Sequence, residues 1–303
     1  MTHHDSITTG VFPAMITPFH SDGRIDHETL AREAQRLEEA GVDGIVPVGS
    51  TGESATLSHA EHVEVVETVV EVLDDVPVIA GAGSNNTDEA IELAEGAASA
   101  GADGLLLISP YYNMPEPAGM REHFETIADA VALPQIVYNV PGRTGRSIEP
   151  ETAEALARHE RIVGYKAASG DLNLINEVIE RTASEEFNVL AGDDALTVPI
   201  CSIGGTGVIS VAANVDPVRV GELTGAALSG DYGRAETYQR RLGPLFRTLF
   251  IETNPIPVKE GVAMQGRCDP HFRLPLSRMS ESNRAQLHEV MADLDILEGV
   301  LPA

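Results

Sequence analysis

"AGVDGIVPVGS" (residues 40–50) and "AGADGLLLISP" (residues 100–110) are two copies of one pattern, set 60 positions apart. In each, a helical run ends at a glycine, Gly41 or Gly101, suited to a left-handed helix cap. A second glycine follows, Gly44 or Gly104, and then an unbroken apolar run. Halfway between them, "DDVPVIAGAGS" (residues 74–84) supplies another strand through a different turn. The repeating unit is thus about 30 residues, one helix and one strand. Carried along the chain, this ruler finds the strands "GVFPAMIT", "GIVPVG", "PVIAG", "GLLLIS", "PQIVYN", "IVGYKA", "FNVLAG" and "GVISVA". Strands without polar alternation are buried on both faces, as parallel strands are. Eight of them alternating with helices predict an α/β fold, a closed (β/α)8 TIM barrel over residues 1–228. An open doubly wound sheet is the alternative, but no GxGxxG opens the first helix. Capping boxes are expected at Ser58 with Glu61 and at Asn86 with Glu89. From residue 229 to 303 the alternation stops, and three helical segments form an extension expected to pack on the barrel.

The composition narrows the class. The 303 residues are 43% hydrophobic, which fits a globular chain, and carry a formal charge of −27. Such a surface excludes nucleic acid as a partner, because phosphate binding needs clustered Lys and Arg. No 18-residue apolar run and no signal-peptide pattern is present, so a cytoplasmic location without membrane contact is expected. Lysine is nearly absent, two residues against 18 arginines. The acidic, lysine-poor surface suits high salt, where a screening length of roughly 3 Å at 1 M moderates self-repulsion.

One of the two lysines, Lys166, sits inside the strand "IVGYKAASG" (residues 162–170). In a barrel, chemistry collects at the C-terminal ends of the strands. There Lys166 meets the ends "GSTGES", "SPYYN", "YNVPGRTG", "AGDD" and the strand holding Ile209. Partial burial penalises an ammonium and lowers its pKa, as an imine-forming amine requires. Arginine serves this chain wherever a salt bridge is enough, which favours a reactive role for Lys166 over a snorkelling one. Tyr138 is placed to shuttle protons, although a strand tyrosine alone is more often core. Ser50 and Thr51, in a glycine-flanked turn, can hold a small carboxylate, or be an ordinary polar turn. Arg143 presents a fork suited to a carboxylate, or to a surface ion pair.

In order along nearly the whole chain, "GSTGESATLSHAEH", "SPYYNMP", "YNVPGRTG", "GYKAASGD", "GDDA", "GVISVAANV" and "NPIPVK" resemble segments of one enzyme family. It is the dihydrodipicolinate synthase and N-acetylneuraminate lyase superfamily of lysine-dependent aldolases. The arginine of "PGRTG" resembles the dihydrodipicolinate synthase branch. The resemblance implies an imine between Lys166 and pyruvate, protons relayed by Tyr138 through Thr51, and Tyr112 reached across a subunit contact. It implies a pyruvate carboxylate held by Ser50, Thr51 and nearby backbone, and the carboxylate of aspartate semialdehyde on Arg143. Backbone carbonyls of Gly192 and Ile209 would line the lysine, with no cofactor and no metal. It further implies a homotetramer built as a dimer of dimers, and a site for inhibitory lysine. The matching positions are Ala55, His59, His62, Asn85, Glu89 and Tyr111. Two departures stand out: Ser50 replaces a usual threonine, and Ala167 follows the lysine where many members carry an acid. The other readings are a 2-keto-3-deoxy sugar acid aldolase, a metal aldolase using His59 and His62, a phosphate cradle at "IGGTG", and a non-catalytic relic.

Overall fold

In the computed structural model, which describes residues 7–297, seven parallel strands alternate with helices. They are β1 (Gly10–Pro13), β2 (Ile79–Gly81), β3 (Gly104–Ile108), β4 (Gln135–Asn139), β5 (Ile162–Ala167), β6 (Asn188–Ala191) and β7 (Gly207–Ser210). Their order is β1-β7-β6-β5-β4-β3-β2. The ends of the expected ranges, residues 1–6 and 298–303, lie outside the described residues. Gly41 and Gly101 have φ of 78° and 92°, the left-handed caps that end the repeat's helices.

The gap between β1 and β2 is closed by the segment expected as the second strand, but in a reduced form. Val46 N–H donates to the Pro13 carbonyl, and Ile45 N–H to that of Pro77, both at 2.9 Å. Only two bridges form there, Ala14 with Val46 and Ile45 with Val78. The strand is cut short because Pro47 has no N–H to donate and Val48 turns to φ 48°. Two residues therefore complete the barrel.

Strand residues alternate between two layers. Phe12, Ile79, Leu106, Ile136, Tyr138, Leu190 and Ile209 fill the interior. Val11, Ala80, Leu105, Val137, Tyr165, Val189 and Val208 pack outward against helices. After the helix Pro217–Leu228 come three more, Tyr232–Thr248, Ile256–Met264 and Glu281–Asp293. Their Leu245, Phe246, Val258, Val262, Leu287 and Met291 belong to the same outer core, so no linker parts them from the barrel. Arg273 adds ties to both Glu61 oxygens, at 2.9 and 2.6 Å, and to the Thr56 carbonyl at 2.8 Å.

The capping box at Ser58 forms, with Ser58 N–H donating to Glu61 at 2.9 Å. The one expected at Asn86 and Glu89 does not. Asn86 accepts from Asp88 N–H at 3.1 Å, while Glu89 turns to Ser84 and His59. A hydroxyl and an imidazole give that carboxylate two donors where the cap offers one. No helix among the described residues is long and apolar enough to cross a membrane.

Candidate active site

The β4–β5 ladder sets Tyr138 opposite Lys166, both pointing into the barrel top. The lysine is 5% exposed and the tyrosine 8%. The Lys166 amine lies 4.2 Å from the Tyr138 ring centroid. Burial pushes the Lys166 pKa down to about 7; the charge of Asp194 opposes that shift and Arg143 adds to it. At neutral pH a substantial share of the amine is thus a free nucleophile. Burial also pushes Tyr138 up to about 12, so its hydroxyl stays protonated and able to donate.

Asp194, opening the 3-10 turn after β6, is buried, and its negative charge acts on the amine. It accepts from Ser210 Oγ and from the N–H groups of Val211 and Ala212, both at 3.1 Å. Burial pushes its carboxyl up to about 6 against those hydrogen bonds. Gly192 crowds the lysine stem: a Cβ there would lie 3.0 Å from Lys166 Cγ.

Above the amine opens a cavity of about 730 Å³. Ser50, Thr51, Tyr138, Arg143, Lys166 and Gly192 line one end. Asn254, from the helical extension, joins two of them. Its side-chain amide donates to Thr51 Oγ1 at 2.9 Å, and its carbonyl accepts from Arg143 Nη2 at 2.9 Å.

The same cavity continues to Ala55, His59, His62, Glu89 and Tyr111. Glu89 accepts from Ser84 Oγ, and from His59 Nε2 at 3.0 Å; these bonds, the serine's first, hold its carboxyl below the usual range. His62 Nε2 donates to the Gly81 carbonyl at 2.6 Å, which leaves Nδ1 as an acceptor, buried and without a partner. Burial lowers the His62 pKa, so the ring is neutral at pH 7.

A profile of the dihydrodipicolinate synthetase family matches residues 7–294. The chain belongs to that family. It is similar, at 67% identity, to the 4-hydroxy-tetrahydrodipicolinate synthase of Natronomonas pharaonis; the match covers 96% of this chain and 99% of that one. The dihydrodipicolinate synthase crystal structure from Aquifex aeolicus superposes with a TM-score of 0.94 at 44% identity, covering 96% and 100% of the two chains. The enzyme from Cyanidioschyzon merolae, crystallised with lysine bound, gives 0.92 at 38% identity, covering 95% and 99%.

Not every residue singled out in this family member reaches the cavity. Ile209, expected to offer only its backbone carbonyl, has its side chain fully buried in the barrel interior, and Asn85 gives its amide to the Tyr111 carbonyl at 3.1 Å. Tyr112 is 89% exposed on left-handed backbone, φ 71°, outside the cavity. Asn254 and Asp194 are additions that sequence reasoning passed over. Both lay within quoted motifs, "NPIPVK" and "GDDA", but nothing local marks either as a neighbour of the lysine. His59 and His62 make different hydrogen bonds, one with Glu89 and one with the Gly81 carbonyl.

Proposed function

We propose that the chain is a 4-hydroxy-tetrahydrodipicolinate synthase, condensing pyruvate with L-aspartate 4-semialdehyde through a Schiff base on Lys166. One observation carries the reading: a buried lysine amine, pushed down to about 7, faces a buried tyrosine in a cavity that also holds Arg143. The free amine attacks the keto carbon of pyruvate and water leaves, giving the imine. Loss of a methyl proton gives the enamine, whose carbon attacks the aldehyde while the aldehyde oxygen gains a proton. The amine of the semialdehyde then adds to the imine carbon, the bond to Lys166 breaks, and the ring closes. Tyr138 is the proton carrier, because its hydroxyl stays protonated and its ring lies against the amine. Ser50 and Thr51 hold the pyruvate carboxylate, and Arg143 the carboxylate of the semialdehyde.

The barrel (1–228) carries these groups, and the extension (229–303) holds them in place through Asn254. Tyr111, Tyr112 and Met114 are exposed, and Tyr112 is given to a second copy to complete a relay through Thr51. Dimers of that kind pair into a cytoplasmic tetramer. Free lysine inhibits from the far end of the cavity, where Glu89 is released from helix capping. The whole reading is tested by supplying pyruvate with aspartate semialdehyde, and separately 2-keto-3-deoxygluconate. Turnover of the first pair alone, with borohydride fixing pyruvate on Lys166, is expected. An adduct on Lys259, or none, ends the reading.

A further inference from the structure

Lys259, the second lysine, is as buried as any residue in the chain, at 0% exposure, and its partner Glu53 has no exposed side-chain surface. The ammonium donates to Glu53 Oε1 and to the His271 carbonyl at 3.1 Å, and it lies 4.4 Å from the Phe19 ring centroid. Glu53 Oε2 accepts from Arg273 N–H at 3.3 Å. Every polar group of the pair is satisfied, yet a buried ion pair is weak evidence of stability. Apolar residues of equal volume are often as stable or more so. What the pair specifies is a conformation.

Glu53 stands at φ 56°, ψ 34°, the left-handed region that ordinarily selects glycine or asparagine. A long acidic side chain there is retained for what it reaches. Its turn is "GSTGESAT", residues 49–56, and the two residues before Gly52 are Ser50 and Thr51, on the cavity wall. The turn is tied at four successive places: Thr51 by Asn254, Gly52 by Thr17, Glu53 by Lys259, and Thr56 by Arg273. Among these ties, Glu53 with Lys259 is the one between opposite full charges, joining the turn to the helix Ile256–Met264.

We infer that Glu53 and Lys259 are positioning residues for binding of the 2-keto acid: they hold the turn so that Ser50 and Thr51 face its carboxylate. Neither is assigned a contact with substrate, and the inference rests on the synthase reading above. Holding a carboxylate site affects substrate and transition state alike, so its loss raises the half-saturating concentration, and any fall in turnover beyond that comes from the relay group Thr51 on the same turn.

The test is pyruvate titration with borohydride trapping on Lys166, run with steady-state kinetics and thermal unfolding of the full chain. Glu53→Gln keeps shape and one acceptor but removes the charge. Half-saturating pyruvate is expected to rise about 10- to 100-fold, equivalent to about 1.4–2.7 kcal/mol of lost binding. Turnover at saturation should fall as well, because the same turn carries Thr51 of the proposed relay, so half-saturation in the trapping assay is the deciding readout. The double variant Glu53→Gln with Lys259→Met removes both charges and serves if the single variant does not fold. In it thermal stability should recover while half-saturating pyruvate stays raised. Wild-type half-saturation in either folded variant overturns the inference and leaves the pair a structural filler. A wild-type protein that traps no pyruvate on Lys166 overturns the synthase reading instead.

Discussion

Tyr138 and Lys166 are Cα partners on adjacent parallel strands, and the amine sits 4.2 Å from the ring centroid. The tyrosine therefore has two separable effects on the lysine. Its ring helps exclude water from the amine, and its hydroxyl is the proton carrier in the proposed chemistry. Tyr138→Phe keeps the ring. Its turnover should fall about 10²- to 10⁴-fold, the usual worth of a general acid–base group, while the pH midpoint of pyruvate trapping stays near 7. Tyr138→Ala opens the site to water, and its midpoint should move upward. Trapping rate against pH in the two variants checks both; a shifted midpoint in Tyr138→Phe would sink the division of roles.

Lys166 itself should be a site where activity opposes stability. Burial lowers its pKa from 10.5 to about 7 in the fold, with Asp194 opposing. Between those values the unfolded chain holds a proton that the folded chain has released. The lysine's contribution to stability therefore rises with pH from about 7 to 10.5 and is least favourable below about 7. Lys166→Met should abolish trapping and be more stable at pH 7 by about 1–2 kcal/mol, as is common when a functional strain is removed. The gap in melting temperature between variant and wild type should narrow as pH rises toward 10. A gap that widens with pH contradicts the buried-amine picture.

The barrel was legible because strands buried on both faces leave an unbroken apolar run, and 30-residue spacing places them. The closing strand was overread: "GIVPVG" is apolar, but Pro47 and the left-handed Val48 leave it two bridges. Lys166 stood out through the scarcity of lysine, and that same scarcity marks Lys259. What separates them in function is the partner, and Glu53 lies 206 positions from Lys259, as Thr51 lies 203 from Asn254. Pairings of that range are created by the fold and leave no local pattern. Glu89 shows the converse: its local pattern fits a capping box, and tertiary donors from Ser84 and His59 override it.

Arg143 is exposed on the one-turn helix after β4, Pro141–Thr144, anchored by one nitrogen to the Asn254 carbonyl at 2.9 Å. The rest of its fork is available to a ligand. Arg143→Ala should leave pyruvate trapping on Lys166 within about twofold of wild type, while kcat/KM for the semialdehyde falls by roughly 2–5 kcal/mol equivalent. Parallel trapping and steady-state assays resolve the two. Loss of trapping would mean that Arg143 supports the imine step.

The last prediction concerns inhibition by free lysine. The far end of the cavity presents Glu89, already below the usual carboxylate range through Ser84 and then His59, as the anion for an ammonium. His62 offers an unpartnered Nδ1 acceptor from a ring kept neutral by burial. Lysine brings two ammonium groups and an aliphatic stem, which fit an acid, an acceptor and the face of His59. Inhibition by millimolar lysine is expected, with a coupling of about 1–3 kcal/mol between the ends of the cavity. Glu89→Ala should remove it and keep turnover, since Glu89 has no part in the reacting end. The pH dependence has a sign as well. Protonating His62 replaces an acceptor by a cation that repels the ligand, so inhibition should weaken as pH falls through its lowered pKa, below the ordinary 6.5. Initial rates with and without lysine, from pH 5 to 8 at fixed high salt, measure both effects. Inhibition that survives Glu89→Ala, or that strengthens toward pH 5, would place the lysine site elsewhere on the molecule.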